Sequence, residues 1–187
     1  MSALAGATTV RGQASAVVRP ADAADLAAIQ AIYAHHVGTG TGTFEEAAPD
    51  EVDMAARRDA ILARGLPYLV ADSGGAIAGF AYAAQFRPRS AYRFTVEDSI
   101  YVHPDAVGSG VGRALLGQLI ARCEAMGYRQ MVAVIGDSAN HRSIRLHKRL
   151  GFVEAGRLLA AGFKFGRWLD VVFMQRALDG GNPEHRR

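Results

Sequence analysis

The segment VHPDAVGSGVGRALLGQLI, residues 102–120, limits the fold more than any other stretch of the chain. An apolar run ends in His-Pro-Asp, three glycines fall within residues 108–112, and an amphipathic helical pattern follows at once. A helix N-terminus carries unpaired backbone N–H groups and partial positive charge. Glycines let the chain turn with positive φ and let an anion approach the backbone closely. Gly108, Ser109, Gly110, Val111, Gly112 and Arg113 are therefore a candidate pyrophosphate cradle. A plain strand-to-helix turn explains the same residues. Two familiar phosphate loops fit badly. A Walker loop ends in Gly-Lys-Ser/Thr, which is missing here. A dinucleotide fingerprint needs G-x-G-x-x-G early in a βαβ unit, whereas this spacing is G-x-G-x-G and lies beyond residue 100.

The flanking pattern places the segment in a larger order. AVVRP (16–20) reads as a strand and Asp22 as the cap of a helix to about Val37, with Leu26, Ile29, Ile32, Tyr33 and Val37 on helical spacing. GTGTGTF (38–44) breaks it, and a second helix runs from about Pro49 to Ala63, closed by Gly65. PYLVAD (67–72) and AIAGFAYAAQF (76–86) form a hairpin around SGG, followed by the polar loop RPRSAY (87–92) and the long strand FTVEDSIYV (94–102). After the glycines come a helix over about 110–126, a buried and parallel strand QMVAVIG (130–136), a helix over about 140–150 ended by Gly151, and a final hairpin. The order β-α-α-β-β-β-α-β-α-β-β describes a mixed α/β domain with one parallel crossover among antiparallel strands. No internal repeat or linker interrupts it.

Composition narrows the class. The 187 residues suit one domain, expected over 16–178. Half are hydrophobic and 21% are charged, as in ordinary soluble globular chains. No apolar run approaches the ~18 residues of a membrane span. The net charge of +3 comes without a dense Lys/Arg stripe, so nucleic acid is not suggested; one small polyanion accounts for the surplus. The lone Cys123 permits no intramolecular disulfide and reads as a small core residue. Residues 1–15, rich in Ala, Gly, Ser and Thr, read as a disordered leader, and 179–187 as a flexible tail. His35, His36, His103 and His141 show no metal-ligand spacing with a carboxylate, so no metal is expected.

Two motifs together carry a resemblance. V-H-P-x-x-x-G-x-G-x-G-x-x-L-L, then N-x-x-S-x-x-L-H-x-x-L-G-F, resembles the GCN5-related N-acetyltransferase (GNAT) superfamily over roughly residues 16–178. The usual first motif begins with Gln or Arg; this chain has Val107 there, which removes a side chain but leaves the amides. RSAYRFTVEDSIYV, MVAVIG, RLHKRLGF and AAGFKFGRWLDVVFMQ are similar to the phosphinothricin and methionine sulfoximine/sulfone acetyltransferase branch. The resemblance implies a mostly antiparallel sheet of about seven strands, splayed after the fourth and flanked by four helices. It also implies acetyl-CoA as co-substrate, with its pyrophosphate on the amides of residues 108–113. By the same resemblance the backbone of Ile100, Tyr101 and Val102 holds the pantetheine arm like an added strand, and Asn140 binds the pantetheine amides, though a helix N-cap is an equal reading of that residue.

Acetyl transfer to an amine requires removal of a proton from the ammonium, polarisation of the thioester carbonyl and neutralisation of the departing thiolate. Alternation on FTVEDSI puts Phe94, Val96, Asp98 and Ile100 on one face and Thr95, Glu97, Ser99 and Tyr101 on the other. Glu97, bordered by apolar residues, is the candidate base, because burial raises a carboxyl pKa. A half-exposed strand carboxylate is the plain alternative, and Asp98 is a structural rival. His147 lies two helical turns after Asn140 and shares its face. The resemblance implies that it works near the acetyl group as general acid, with acid and base roles exchangeable; a capped or surface histidine is the other reading. Arg87, Arg89 and Tyr92 precede the Glu97 strand and suit an anionic acceptor, since guanidinium matches carboxylate or phosphinate. Phe44, Trp168 and Lys164 complete the expected pocket, with Lys164 and Asp170 equally readable as hairpin or dimer contacts.

The expectation is direct transfer from acetyl-CoA to the α-amino group of a small amino-acid analogue such as phosphinothricin, methionine sulfoximine or methionine sulfone, by a cytoplasmic homodimer that uses no nucleic acid or membrane. Two alternatives stand beside it. One is a different amine, such as a polyamine, an antibiotic or a protein N-terminus. The other is an acyl-CoA-binding regulatory module without turnover.

Overall fold

Each element expected from the sequence is formed, in the expected order. The computed structural model describes residues 16–179 and 181. The leader expected over 1–15, and the tail apart from Asp179 and Gly181, lie outside the described residues. Gly181 itself is tied to the domain: its carbonyl accepts the Gln130 Nε2 at 2.7 Å.

The elements are β1 (Val17–Pro20), α1 (Leu26–Thr39), α2 (Glu51–Leu62), β2 (Tyr68–Ser73), β3 (Ala76–Gln85), β4 (Thr95–Val102), α3 (Val111–Ala125), β5 (Gln130–Gly136), α4 (His141–Arg149), β6 (Val153–Lys164) and β7 (Arg167–Ala177). Asp22 does cap, but it opens a 3-10 turn over Ala23–Asp25 rather than α1 directly. The reason is a reciprocal bond: Asp22 accepts from Ala24, while Asp25 accepts the Asp22 N–H at 2.9 Å and holds Arg19 at 2.7 and 2.8 Å. Asp50 caps α2 by accepting the Asp53 N–H at 2.8 Å.

The strands form one sheet in the order β1-β2-β3-β4-β5-β7-β6. All pairings are antiparallel except β4 with β5, which is parallel as expected. That parallel ladder runs only from Thr95↔Gln130 to Asp98↔Ala133. Beyond it β4 continues to Val102 and β5 to Gly136 without pairing to one another. This is the splay expected after the fourth strand.

Each face of the sheet has its own core. Leu115, Leu116, Leu119, Ile120 and Cys123 of α3 bury Val96, Met131, Ala133 and Ile135. Ile29, Ile32, Tyr33 and Val37 of α1 and Met54 of α2 bury Tyr68, Val70 and Phe80. The β4 alternation is observed: Val96 and Asp98 are buried toward α3, and Tyr101 stacks on Phe80 and meets Tyr33 on the other side. Glu97 and Asp98 therefore serve different faces.

Candidate active site

Three parts of the fold converge where β4 and β5 part. The first is the glycine turn. Gly108 and Gly110 take φ of 89° and 95°, a left-handed conformation that costs a side-chain-bearing residue about 1–2 kcal/mol. Gly110 is the N-cap of α3 and offers no side chain to the helix. Among the described residues, the amides of Gly108, Gly110, Val111, Gly112 and Arg113 have no backbone acceptor, whereas Ser109 is turned inward to the Ala106 carbonyl through both its N–H and its hydroxyl. The turn thus presents five free donors, with Ser109 bracing it. Arg113 is exposed beside them in a groove of about 460 Å³.

The second part is the split itself. Outward main-chain edges of β4 past Asp98 and β5 past Ala133 face a gap with no ladder across it. The main-chain groups of Ile100 and Val102 point into it as expected, although the Val102 carbonyl already accepts the His36 ring at 2.9 Å. Tyr101 differs: it stands opposite Phe80 in the ladder with β3, in phase with the Thr95 carbonyl that accepts from Phe86 and the His103 N–H that donates to Ala78. Burial pushes the His36 pKa down, which keeps the ring neutral and Nε2–H a simple donor. Asn140 is the N-cap of α4, its Oδ1 accepting the Ser143 N–H at 3.2 Å.

Glu97 sits at the vertex, opposite Ala84 on one side and Val132 on the other. It is half-buried, and among the described residues nothing hydrogen-bonds its carboxylate. Burial pushes its pKa above the ordinary carboxyl value; Arg87 pulls it down and Asp98 adds to the rise. A raised, unpartnered carboxylate can take a proton.

His147 corrects the expectation of a general acid. It is 1% exposed, its Nε2 meets Asp98 Oδ2 at 2.9 Å, and its Nδ1 meets the Ser143 carbonyl at 2.8 Å. Burial alone would lower its pKa, but the Asp98 carboxylate and the Ser143 carbonyl outweigh it and raise the value. The imidazole is a buried hydrogen-bond partner of Asp98 on the α3 face, with the sheet between it and the side of Glu97. The sequence shows a histidine two turns from an asparagine; it does not show that Asp98 stands beneath it.

The third part is a cleft of about 510 Å³ between the loop after β3 and the β6–β7 hairpin. Phe86, Tyr92, Thr95, Val132, Arg157 and Gln175 are among its walls. Thr95 and Val132 share the face of Glu97, so the carboxylate and the cleft lie on one side of the sheet. Tyr92 is there as expected, edge-on to Phe86. Arg87 stacks over Phe86 at 4.4 Å and its charge reaches Glu97. Arg89 is exposed at the start of the 3-10 turn Ser90–Tyr92 and is not among the cleft's walls. Arg157 is a cation that sequence reading missed; only the pairing of β6 with β7 brings it to this cleft, and no local signal announces it.

Lys164 takes the hairpin-contact reading of its two rather than the pocket one. It is 2% exposed, and its Nζ donates to the carbonyls of Gly40 and Thr43, both at 2.9 Å. It contacts the loop before α2 and leaves no face for an acceptor. Phe44, from that loop, lies over the hairpin: a Cβ on Gly162 would fall within its ring, and a Cβ on Gly136 would meet both its ring and the Thr41 carbonyl. Trp168 is 67% exposed and packs on Phe163, away from the cleft.

The Acetyltransferase (GNAT) family profile matches residues 29–152. The chain is 60% identical over 158 residues to a phosphinothricin N-acetyltransferase of Alcaligenes faecalis, covering 84% of this chain and 80% of that protein. It is 46% identical over 166 residues to an L-methionine sulfoximine/L-methionine sulfone acetyltransferase of Pseudomonas paraeruginosa, covering 88% and 96%. A crystal structure of a GNAT superfamily phosphinothricin acetyltransferase from Sinorhizobium meliloti, in complex with AcCoA, superposes with a TM-score of 0.87 at 53% identity, covering 90% of this chain and 91% of that one.

Proposed function

The chain belongs to the GNAT family and is an N-acetyltransferase, and from that premise we propose that it acetylates the α-amino group of a small amino-acid analogue of the phosphinothricin, methionine sulfoximine or methionine sulfone type. The observation that carries the reading is the pairing of Glu97 with the cleft. A half-buried carboxylate without a partner faces the same side as a cavity that has Arg157 in its wall and Arg87 at its edge. Guanidinium groups recognise the carboxylate and phosphinate or sulfone oxygens of such an acceptor. A polyamine would need acidic walls instead.

The residues present fit acetyl-CoA. The free amides of Gly108 and Gly110–Arg113 suit its diphosphate, and the unpaired main-chain groups of Ile100 and the Val102 N–H suit its pantetheine amides. Its thioester supplies the acetyl group. Glu97 accepts the ammonium proton, directly or through a water, and its raised pKa brings it nearer the useful range for a base at neutral pH. Burial pushes the Cys123 thiol up to about 12, so it offers no thiolate for a covalent detour and transfer is direct. Neither nitrogen of His147 is free to protonate the departing thiolate.

The test is thiol release from acetyl-CoA by the purified protein. Phosphinothricin, methionine sulfoximine and methionine sulfone should each support turnover, and spermidine should not. Release with spermidine alone, or with no amine at all, overturns the acceptor assignment. We also propose a cytoplasmic homodimer, supported by the apolar surface of the β6–β7 hairpin, where Leu159, Phe163 and Trp168 are 75%, 53% and 67% exposed.

A further inference from the structure

The segment AAGFKFGRWLD (160–170) shapes the end of the β6–β7 hairpin that faces α1. The β6–β7 register shifts between Leu158↔Val171 and Gly162↔Leu169, so residues 159–161 bulge outward. Ala160 takes φ of 49°, and its N–H is held by Asp170 Oδ1 at 3.0 Å. The other Asp170 oxygen accepts Ser138 Oγ at 2.8 Å, which ties the bulge to the end of β5.

Onto this platform the loop 40–44 is fastened from three sides. Thr41 Oγ1 donates to Asp137 Oδ2 at 2.8 Å, the same oxygen that takes Arg167 at 2.7 Å. Thr43 is buried and shares its hydroxyl with Tyr33 at 3.1 Å. Between these, Lys164 donates to the Gly40 and Thr43 carbonyls. Among the described residues no carboxylate pairs with this ammonium at hydrogen-bond distance; Glu45 and Glu46 act on it only through space. A buried lysine satisfied by two loop carbonyls is costly unless those bonds do something, because desolvating an ammonium without a counter-ion is unfavourable. What they do is fix the turn that leads directly into Phe44. The ring leaves the loop directly after Thr43 and rests on Gly136 of β5 and Gly162 of β6, further along the same two strands that contribute Val132 and Leu158 to the cleft wall.

We propose that Lys164 is a positioning residue for the acceptor site: it pins the loop 40–44 to the β6–β7 hairpin and so fixes Phe44 beside the acceptor cleft. Its action runs through the loop and not through contact with the amine. For its kinetic arm the inference rests on the acetyl-acceptor reading above; its exchange arm does not.

The test pairs Lys164→Met with Phe44→Ala and the double variant. In Lys164→Met, amide hydrogen exchange in residues 38–45 should quicken by about tenfold or more, with α3 and β5 unchanged. Its KM for methionine sulfone should rise by about tenfold while the Kd for acetyl-CoA stays within about twofold. If Lys164 acts through the ring, Phe44→Ala should show the same KM rise, and the double variant should be no worse than either single one. Additive effects, or a fall in kcat with KM unchanged, overturn the proposal. Should Lys164→Met fail to fold, the wild type still decides. Its Lys164 ammonium hydrogens should exchange slowly enough to be seen by 15N-lysine NMR at neutral pH, with couplings to the Gly40 and Thr43 carbonyls; a fast-exchanging ammonium overturns the clamp. A wild type that acetylates no amine on the panel defeats the acceptor reading and leaves the exchange and NMR arms to judge Lys164.

Discussion

Glu97 is informative because its two neighbours in sequence point away from it. Val96 and Asp98 are buried toward α3, so the charge on Glu97 faces the cleft side. Its pKa is raised, so below that value the carboxyl holds a proton and cannot accept another. Turnover should therefore fall as pH drops through the raised value. Glu97→Gln should reduce kcat by about 10²–10⁴-fold and abolish that acid limb, with acetyl-CoA affinity retained. A pH–rate profile identical to the wild type removes Glu97 as base. His147 obeys the opposite sign. The folded His147 pKa lies above its ordinary value of 6.5, so the pair's stabilisation is complete below that value and is lost as pH rises through the folded one. Asp98→Asn should cost about 3–5 kcal/mol at about pH 6 and distinctly less at about pH 9 by urea denaturation. Equal losses at both would show that no proton is linked to the pair.

At the scale of elements, two close approaches define the site. One is the glycine turn before α3, where positive φ frees a row of amides. Gly110→Val should weaken acetyl-CoA binding by about tenfold or more in calorimetry, since strain of about 1–3 kcal/mol at that φ must be relieved by moving the cradle. The other is the seat of Phe44 on β6. Gly162→Ala places a methyl inside the ring and should destabilise the fold by about 1–3 kcal/mol. Combining it with Phe44→Ala should recover most of that loss in a thermal melt. Retention of the full loss in the double variant would show that the ring does not occupy that space.

For the molecule as a whole, the distribution of apolar surface matters most. Leu158, Leu159, Phe163, Phe165 and Trp168 are each more than half exposed, and all belong to the β6–β7 hairpin. A stable dimer buries about 1,200–2,000 Å² in total, and such a cluster suits its centre. The protein should sediment as a dimer, and Trp168→Glu combined with Leu159→Glu should convert it to a monomer. A wild-type monomer at all concentrations would count against the proposed assembly. The same hairpin braces the loop 40–44 and carries Arg157 into the cleft, so monomerisation should also raise the KM for the acceptor.

Local pattern was enough for the elements and for the glycine turn before α3. Helical and strand periodicities, the glycines at 108–112 and the alternation around Glu97 are properties of short windows, and the residues in them act on their immediate neighbours along the chain. The insertion of β7 between β5 and β6, the Asp98–His147 pair, the arrival of Arg157 in the cleft and the bonds from Lys164 to Gly40 and Thr43 were decided by tertiary structure alone. They join residues 49 positions apart in the Asp98–His147 pair and as many as 124 apart in the lysine clamp. Whether a histidine or lysine meets solvent, substrate or a buried acceptor depends on what distant chain is folded over it, and periodicity carries no record of that.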